Sequence, residues 1–360
     1  MNRKVTLKDV AALAGVSVAT VSYVLNHSDK QHISKETRVR VREAARQLNY
    51  MPNTSAKSLR SNRSGCIGVA IDKDITVPRY AQTLQGIRRV LEENEYQLVL
   101  CSGRKLRGEY PDYISGYFSR SIDGVIYIGA DNRGMDASIE NLIIRHGIPV
   151  VAFDCPGSGE ISTVELDYFQ GARELVLYLM DQGVRRIHYI RNGFDSRQGR
   201  LREQGVLRAA FERPELDLVL HRLPTSYGLM EDGQYRNGNM QIFQTNADLW
   251  EKEQFRQFAE AVRNCVSSFA DELTSDGRTA IVCSWAAMEQ HVCAALEPYS
   301  FRPPIGVLAQ GILYPGSYPY ITYSELPNYQ AGQTCARQIL HLLDHPDDVQ
   351  RIVLKPEINK

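Results

Sequence analysis

No apolar run in this sequence approaches the ~18 residues that a membrane-spanning helix requires, so a helical membrane protein is not expected. Residues 1–15 begin basic but hold no uninterrupted apolar stretch and no small-residue cleavage pattern, so no export signal is read. Cysteines are few and scattered: those at 66, 101, 155, 265, 283, 293 and 335 form no Cys-x-x-Cys pair and no ligand pattern with histidine. This argues against a disulfide framework or a metal clip and suits small buried hydrophobes in a reducing cytoplasm. A phosphate-cradling glycine loop, a nucleophile elbow and a metal-spaced His/Glu set are also missing, and the eight histidines are dispersed. No catalytic residue, metal or cofactor is therefore expected, and His188, beside a strand, reads as packing rather than catalysis.

What is present is a chain of 360 residues with 43% hydrophobic and 23% charged residues, the composition of a globular protein of two or three domains. Its net charge of zero is an average of two opposites. Residues 1–64 hold 12 Lys/Arg against 4 Asp/Glu, a net of +8, and the remainder carries −8. A basic head on an acidic body suits a polyanion-binding module joined to a domain that does not bind polyanions.

The basic head has an internal order. Thr6-Leu-Lys-Asp9 has the spacing of a helix N-cap with a carboxylate three positions on. Leu7, Val10, Ala11 and Ala14 then fall on one helical face, and Gly15 supplies the left-handed stop. Ser17 offers a second N-cap, and Val18–Leu25 reads as a second helix with Val21, Val24 and Leu25 facing the first. Val18, Ala19, Ser22 and Tyr23 are left outward or forward. Two short helices around a glycine turn make a helix-turn-helix. Ser34 caps a third helix, roughly Lys35–Leu48, whose Val41, Ala44, Ala45 and Leu48 complete a three-helix core.

The run Thr6 to Asn26, followed by Thr37-Arg38 and Leu48-Asn-Tyr-Met-Pro-Asn53, resembles the lactose-repressor (LacI/GalR) family. The resemblance implies a regulator of transcription, a repressor, that binds a pseudopalindromic operator in double-stranded DNA as a homodimer. It implies that Val18, Ala19 and Tyr23 face base edges in the major groove. Thr20, Ser22, Asn26, Ser34, Thr37 and Tyr50 would lie at phosphates, with the capping residues Thr6 and Ser17 in the same DNA-facing set. The family usually has arginine where this chain has Tyr23, which cannot make arginine's bidentate contact to guanine, so more of the readout falls to DNA shape. After Pro52 the short polar stretch with Asn53, Ala56 and Leu59 would be a hinge that becomes helical on operator, with Leu59 wedging into the minor groove.

From residue 65 short apolar runs alternate with amphipathic helices: 66–71, 97–101, 124–128, 149–153, 187–190 and 280–283 are the strands. The expected fold is an all-α helix-turn-helix headpiece plus an α/β bilobed periplasmic-binding-protein-like core, two parallel sheets flanked by helices. The domains expected are a headpiece at 1–50, a hinge at 51–64 and an effector-binding and dimerisation core at 65–360. Its N-lobe would be 65–166 plus 324–344, and its C-lobe 167–323 plus 345–360. The three crossings would fall near Glu165–Asp167, Tyr320–Ser324 and Leu343–Pro346.

The resemblance implies effector contacts at Asp154 and Arg202, an acceptor of hydroxyls and a donor fork. The far lobe departs from the family: Trp285-Ala286 stands where relatives carry Asn/Asp-Asp, and Ala309-Gln310-Gly311 where they carry Gly-Phe-Asp. Trp285 and Gln310 are the substitutes expected near the ligand, a small polar and saccharide-related effector whose identity the sequence does not name. Asp167 reads as a helix cap. The stretch 228–262 is longer and more polar than in the family and carries no assignment. The chain ends at residues 352–360, directly after a final strand and with no leucine-heptad tail, so a two-fold dimer is the economical assembly. The expected location is the cytoplasm, associated with the nucleoid when bound to DNA, with no membrane partner. Two rival readings stand beside this one: a regulator triggered by a partner protein over a degenerate cleft, and a small-molecule receptor sharing the bilobed fold.

Overall fold

The three helices expected in the basic head form in the computed structural model as Leu7–Ala14 (α1), Val18–Leu25 (α2) and Lys35–Gln47 (α3). The structure describes residues 5–25, 33–50, 63–71, 75, 77–103, 109–129, 134–191, 193, 196–224, 256–273, 275–286, 288–310 and 321–359. The chain divides into two compact units, Met1–Ser64 and Gly65–Lys360. In the first, Val10, Ala11 and Ala14 of α1 meet Val21 and Val24 of α2 and Val41, Ala44 and Ala45 of α3. Gly15 takes φ +63° and returns its N–H to the Ala11 carbonyl, which makes the tight turn between α1 and α2.

The second unit holds two six-stranded sheets. The first is built from Cys66–Ile71 (β1), Gln97–Cys101 (β2), Gly124–Ile128 (β3), Val150–Phe153 (β4), Ser162–Leu166 (β5) and Arg351–Leu354 (β11). Its order is β11-β5-β4-β3-β1-β2, parallel throughout. The second uses Arg186–Arg191 (β6), Asp217–Arg222 (β7), Thr279–Cys283 (β8), Ile305–Gln310 (β9), Ile321–Glu325 (β10) and Glu357–Asn359 (β12). Its order is β12-β10-β9-β8-β6-β7, with β12 antiparallel to β10 and the other pairs parallel.

Alternate residues of each central strand feed cores on opposite faces, as the two-residue strand period requires. Ile67 and Val69 pack with the helices Pro78–Glu93 (α4) and Asn328–Asp344 (α11). Ala70 and Val125 pack on the other face with Asp112–Phe118 (α5) and Ala137–His146 (α6). In the second sheet Ile187 and Tyr189 meet Tyr168–Asp181 (α7) and Arg197–Glu212 (α8). Ile281 and Cys283 meet Met288–Leu296 and a helix over 256–268. The polar stretch 228–262 thus ends in a packed helix, with Val262 fully buried, while residues 228–255 lie outside the described ones.

Among the described residues three crossings join the lobes, and two fall later than the sequence suggests. The first is at Asp167, between β5 and α7, as expected. Tyr320–Ser324 is not a crossing: Ile321–Glu325 is a strand of the second sheet, and the chain leaves that lobe at 326–327. Nor is Leu343–Pro346, because Arg351–Leu354 pairs in parallel with β5 in the first sheet and the crossing comes at 355–356. Helix ends punctuated by Pro327 and Pro346 attract a boundary in a sequence reading, whereas edge-strand pairing decides where a lobe closes. The expected single final strand is therefore two strands, one in each sheet.

Two glycines set the α4–α11 contact. A Cβ on Gly332 would stand 2.0 Å from the Thr83 carbonyl oxygen, and one on Gly86 would stand 2.1 Å from that of Tyr329. Residues 83 and 86 thus face 332 and 329, so the helices run antiparallel with their backbones in contact.

In the second lobe His188 is fully buried, its ring 4.0 Å from that of Phe269 at an interplanar angle of 9°. Its Nδ1 lies 3.0 Å from His221 Nε2. This is the packing role expected for it. Burial, reinforced by His221, holds the His188 imidazole down to about 4, and burial lowers His221 as well. The folded protein therefore keeps His188 neutral where an unfolded chain, titrating near its ordinary value of 6.5, takes up a proton. The stability this confers is complete above pH 6.5 and is lost as pH falls toward 4. The loss amounts to roughly 2–3 kcal/mol. Urea denaturation at stepped pH is expected to show that excess loss in the wild type and not in His188→Phe; parallel pH profiles would refute it.

Candidate functional site

In the headpiece, the capping residues are tied to their own helices. Thr6 N–H donates to Asp9 Oδ2 at 2.8 Å and its hydroxyl donates to the same oxygen at 2.6 Å. Thr20 N–H donates to Ser17 Oγ at 3.1 Å, and Thr37 N–H to Ser34 Oγ at 3.2 Å. These caps fix where α2 and α3 begin and leave Val18, Ala19 and Tyr23 exposed on α2, with Ser22 and Thr20 half-buried. Tyr50 packs partly against the three-helix core. Asn26 and the hinge residues Asn53, Ala56 and Leu59 lie outside the described residues.

In the core, Asp154 follows the carboxyl end of β4 in the first lobe and is 96% buried, with φ +49°. A non-glycine residue in that left-handed region inside a core is held there by its partners. Its Oδ2 accepts from Arg79 Nη2 at 2.7 Å, Tyr168 Oη at 2.6 Å and Gln198 Nε2 at 3.4 Å. Tyr168 and Gln198 belong to the second lobe, so one carboxylate oxygen gathers donors from both. A second bridge runs from Arg197 Nη2 to Glu165 Oε2 at 2.7 Å, and Arg351 Nε reaches Glu165 Oε1 at 2.8 Å. Asp154 Oδ1 is buried with no hydrogen bond among the described residues, its nearest cation being Arg197 Nη1 at 3.9 Å.

Arg202 projects from α8, where Gln198, Arg202, Gly205, Val206 and Ala209 form the buried face. It is only 2% exposed, with its guanidinium carbon 4.6 Å from the Tyr168 ring centre and 4.3 Å from that of Trp285. Burial lowers its pKa to about 10, against the pull of Tyr168 and Tyr189, so it stays a cation at neutral pH. Its Nε and Nη2 have no hydrogen-bond partner among the described residues. Stacking explains this, because rings cover the faces of a guanidinium while its N–H donors lie in the plane.

The structure thus brings Asp154, Arg202 and Trp285 together around Tyr168. Gln310 ends β9, opposite Glu325, and its side chain is not among those described. Asp167 caps α7, accepting from Gln170 N–H at 3.0 Å. Sequence reasoning missed Arg79, Tyr168, Arg197, Gln198 and Glu165. A signal was available in α8, where two polar residues four apart, Gln198 and Arg202, head the stripe that Val206 and Ala209 continue. No such signal marks Arg79.

Among the described residues no group of three or more His, Cys, Asp or Glu could hold a metal ion, and no single helix is long and apolar enough to cross a membrane. Burial pushes the Cys101, Cys155 and Cys265 thiols up to about 11, away from nucleophilic chemistry.

Residues 6–53 match the bacterial regulatory proteins of the lacI family. The chain is 30% identical over 234 residues to the ribose operon repressor of Escherichia coli K12, covering 65% of this chain and 68% of that one. It is 32% identical over 187 residues to catabolite control protein A of Staphylococcus xylosus, 52% of this chain and 55% of that protein, so the match spans about half that relative's length. In structure it is similar to the lac repressor dimer bound to operator and the anti-inducer ONPF, with a TM-score of 0.69 at 20% identity over 99% of this chain and 98% of the other.

Proposed function

The chain belongs to the lacI family of bacterial regulatory proteins, and from that premise we propose that it represses transcription by binding a pseudopalindromic operator as a dimer. The observation that carries this reading is the capped α2 with Val18, Ala19 and Tyr23 exposed, inside a segment of net charge +8. Val18 and Ala19 offer apolar contact to a thymine methyl, and Tyr23 a single hydroxyl. Thr6, Ser17, Thr20, Ser22, Asn26, Ser34, Thr37 and Tyr50 serve the phosphates. Asn53, Ala56 and Leu59 form the hinge and its minor-groove wedge. A small polar, saccharide-related effector binds between the lobes at Asp154, Arg202, Trp285 and Gln310 and shifts the lobe arrangement that the hinges sense.

Support for the interlobe site comes from Asp154, whose carboxylate collects donors from both lobes on one oxygen, while the other, 3.9 Å from Arg197 Nη1, accepts no hydrogen bond among the described residues. It favours this reading over a partner-triggered regulator with a degenerate cleft. The headpiece argues against a simple small-molecule receptor.

Operator binding is expected to weaken steeply with salt. Neutralising about 6–10 phosphates per dimer gives a log–log slope of roughly −5 to −9. Fluorescence anisotropy of a labelled palindromic duplex titrated at stepped potassium chloride measures it. A slope near zero, or equal slopes and affinities on palindromic and random duplexes, would remove the operator-binding reading.

A further inference from the structure

On the outer side of the second lobe, α8 turns apolar side chains to solvent. Arg200, Gln204, Leu207 and Phe211 recur every three or four positions, the spacing of one helical stripe, and all four are exposed. They lie opposite the face that buries Gln198, Arg202, Val206 and Ala209. Phe211 is 76% exposed, more than any other large apolar side chain described, and Leu207 is 43% exposed. The strand β7 ends the second sheet. Its Leu218 and Leu220 pair in register with Ile187 and Tyr189, which pack with α7 and α8, so both lie on the sheet face that carries α8. Leu218 is half-buried there, whereas Leu220 is exposed and is followed on the same face by exposed Arg222.

The charges around this stripe are unequal. Glu212 accepts from Arg208 Nε at 2.6 Å and from Arg173 Nη2 at 2.6 Å, so one carboxylate serves two guanidiniums. Glu203 meets Arg191, and Arg213 stands between Asp181 at 2.8 Å and Glu215 at 3.4 Å. Arg222 has no ion pair among the described residues. Arg208 also lies over the Phe211 ring, with its guanidinium carbon 5.6 Å from the ring centre. The result is an apolar, arginine-rich strip on a core whose net charge is −8. Exposed apolar side chains rimmed by polar ones mark protein contacts, and aromatic and arginine residues carry most of the energy of such contacts. A second copy laid stripe against stripe would bring carboxylates that arginines already hold, so the matching occupant brings its own.

We propose that the outer stripe of α8 docks a partner protein through an acidic amphipathic helix. Apolar residues of that helix would pack on Leu207 and Phe211, and its carboxylates would meet Arg200, Arg208 and Arg222. Leu207 and Phe211 stand one turn apart, the spacing at which a helix laid along them repeats its own apolar residues. Phe211 and Arg202 leave opposite sides of α8, so this surface and the interlobe site are separate and each stands without the other.

The test begins with hydroxyl-radical footprinting of the full chain over a range of concentrations. Phe211 is expected to be oxidised readily at every concentration. Protection at the lowest concentration would mean that the chain covers the stripe itself, and protection that grows with concentration would mean that a second copy does. Either result overturns the proposal. Random peptides about four helical turns long are then displayed on phage, selected on the full chain and counter-selected on Phe211→Ser. The survivors are expected to be net acidic, with apolar residues three or four positions apart. Synthesised and titrated by fluorescence anisotropy, they are expected to bind roughly tenfold or more weaker to Phe211→Ser and about threefold weaker to Arg208→Gln. Binding is also expected to weaken as potassium chloride is added. Both substitutions fall on exposed side chains and are expected to leave the melting temperature close to that of the wild type. Survivors that are net basic, or that bind both variants as tightly as wild type, overturn the proposal, and so does a selection that yields none.

Discussion

Replacing Gly332 with valine is expected to destabilise the first lobe by about 4 kcal/mol or more, or to prevent its folding. Overpacking a core typically costs ~1–3 kcal/mol and occasionally more. The clash here is with backbone, since the first added carbon stands 2.0 Å from the Thr83 carbonyl oxygen and 3.0 Å from the Ile87 nitrogen. No rotamer relieves it, so α4 and α11 must separate and carry Ile87 and Ile339 out of the shared core. Valine adds a second branch that α11 must accommodate. Gln330→Ala, exposed on the same helix, is the control and is expected to stay within about 0.5 kcal/mol of wild type. Urea unfolding followed by near-ultraviolet circular dichroism decides the matter: a Gly332→Val loss below ~1 kcal/mol would show that the two helices are not in backbone contact.

Asp154→Ala is expected to cost about 3–5 kcal/mol, the range for breaking a buried ion pair from one side. The substitution removes the carboxylate that Arg79 meets at 2.7 Å and the acceptor of the Tyr168 hydroxyl and Gln198 amide together. Part of the cost is backbone, because alanine resists the φ of +49° that aspartate and asparagine tolerate. Asp154→Asn separates the contributions: it tolerates the conformation and keeps one acceptor oxygen but loses the charge, so its loss is expected to be smaller by ~1 kcal/mol or more. Equal losses in the two variants would mean that charge, and not shape or backbone, accounts for the whole effect. A loss under 1 kcal/mol in Asp154→Ala would mean that the lobes are held together elsewhere.

The headpiece was legible in its sequence because every device there is local. Caps, a glycine stop and a three-to-four-residue period lie within a few positions of one another, and Val10, Val21 and Val41 are where that period puts them. The strands of the core were legible for the same reason, as apolar runs bounded by turns. The crossings were not, since a strand such as Arg351–Leu354 reveals its sheet only through a partner at residues 163–166. The interlobe network was half legible. Asp154 and Arg202 were marked by resemblance and Trp285 by departure from it, but Arg79 and Tyr168 join the site only when separate helices converge. No local pattern records that convergence.

The last two strands have a consequence for the order in which the protein is made. Both sheets receive an outer strand from residues 351–359, and Arg351 closes on Glu165, nearly two hundred residues behind it. The headpiece core, by contrast, is complete once residue 50 has emerged, because its contacts join near neighbours. On a ribosome adding ~5–20 residues per second, the basic head can fold long before either sheet has its edge. During that interval β5 and β10 present unpaired backbone, the surface most prone to pair with another chain. The nascent protein thus passes through a period in which it carries a finished nucleic-acid-binding head on an unfinished, association-prone body, and emergence of residues 351–359 brings that period to an end.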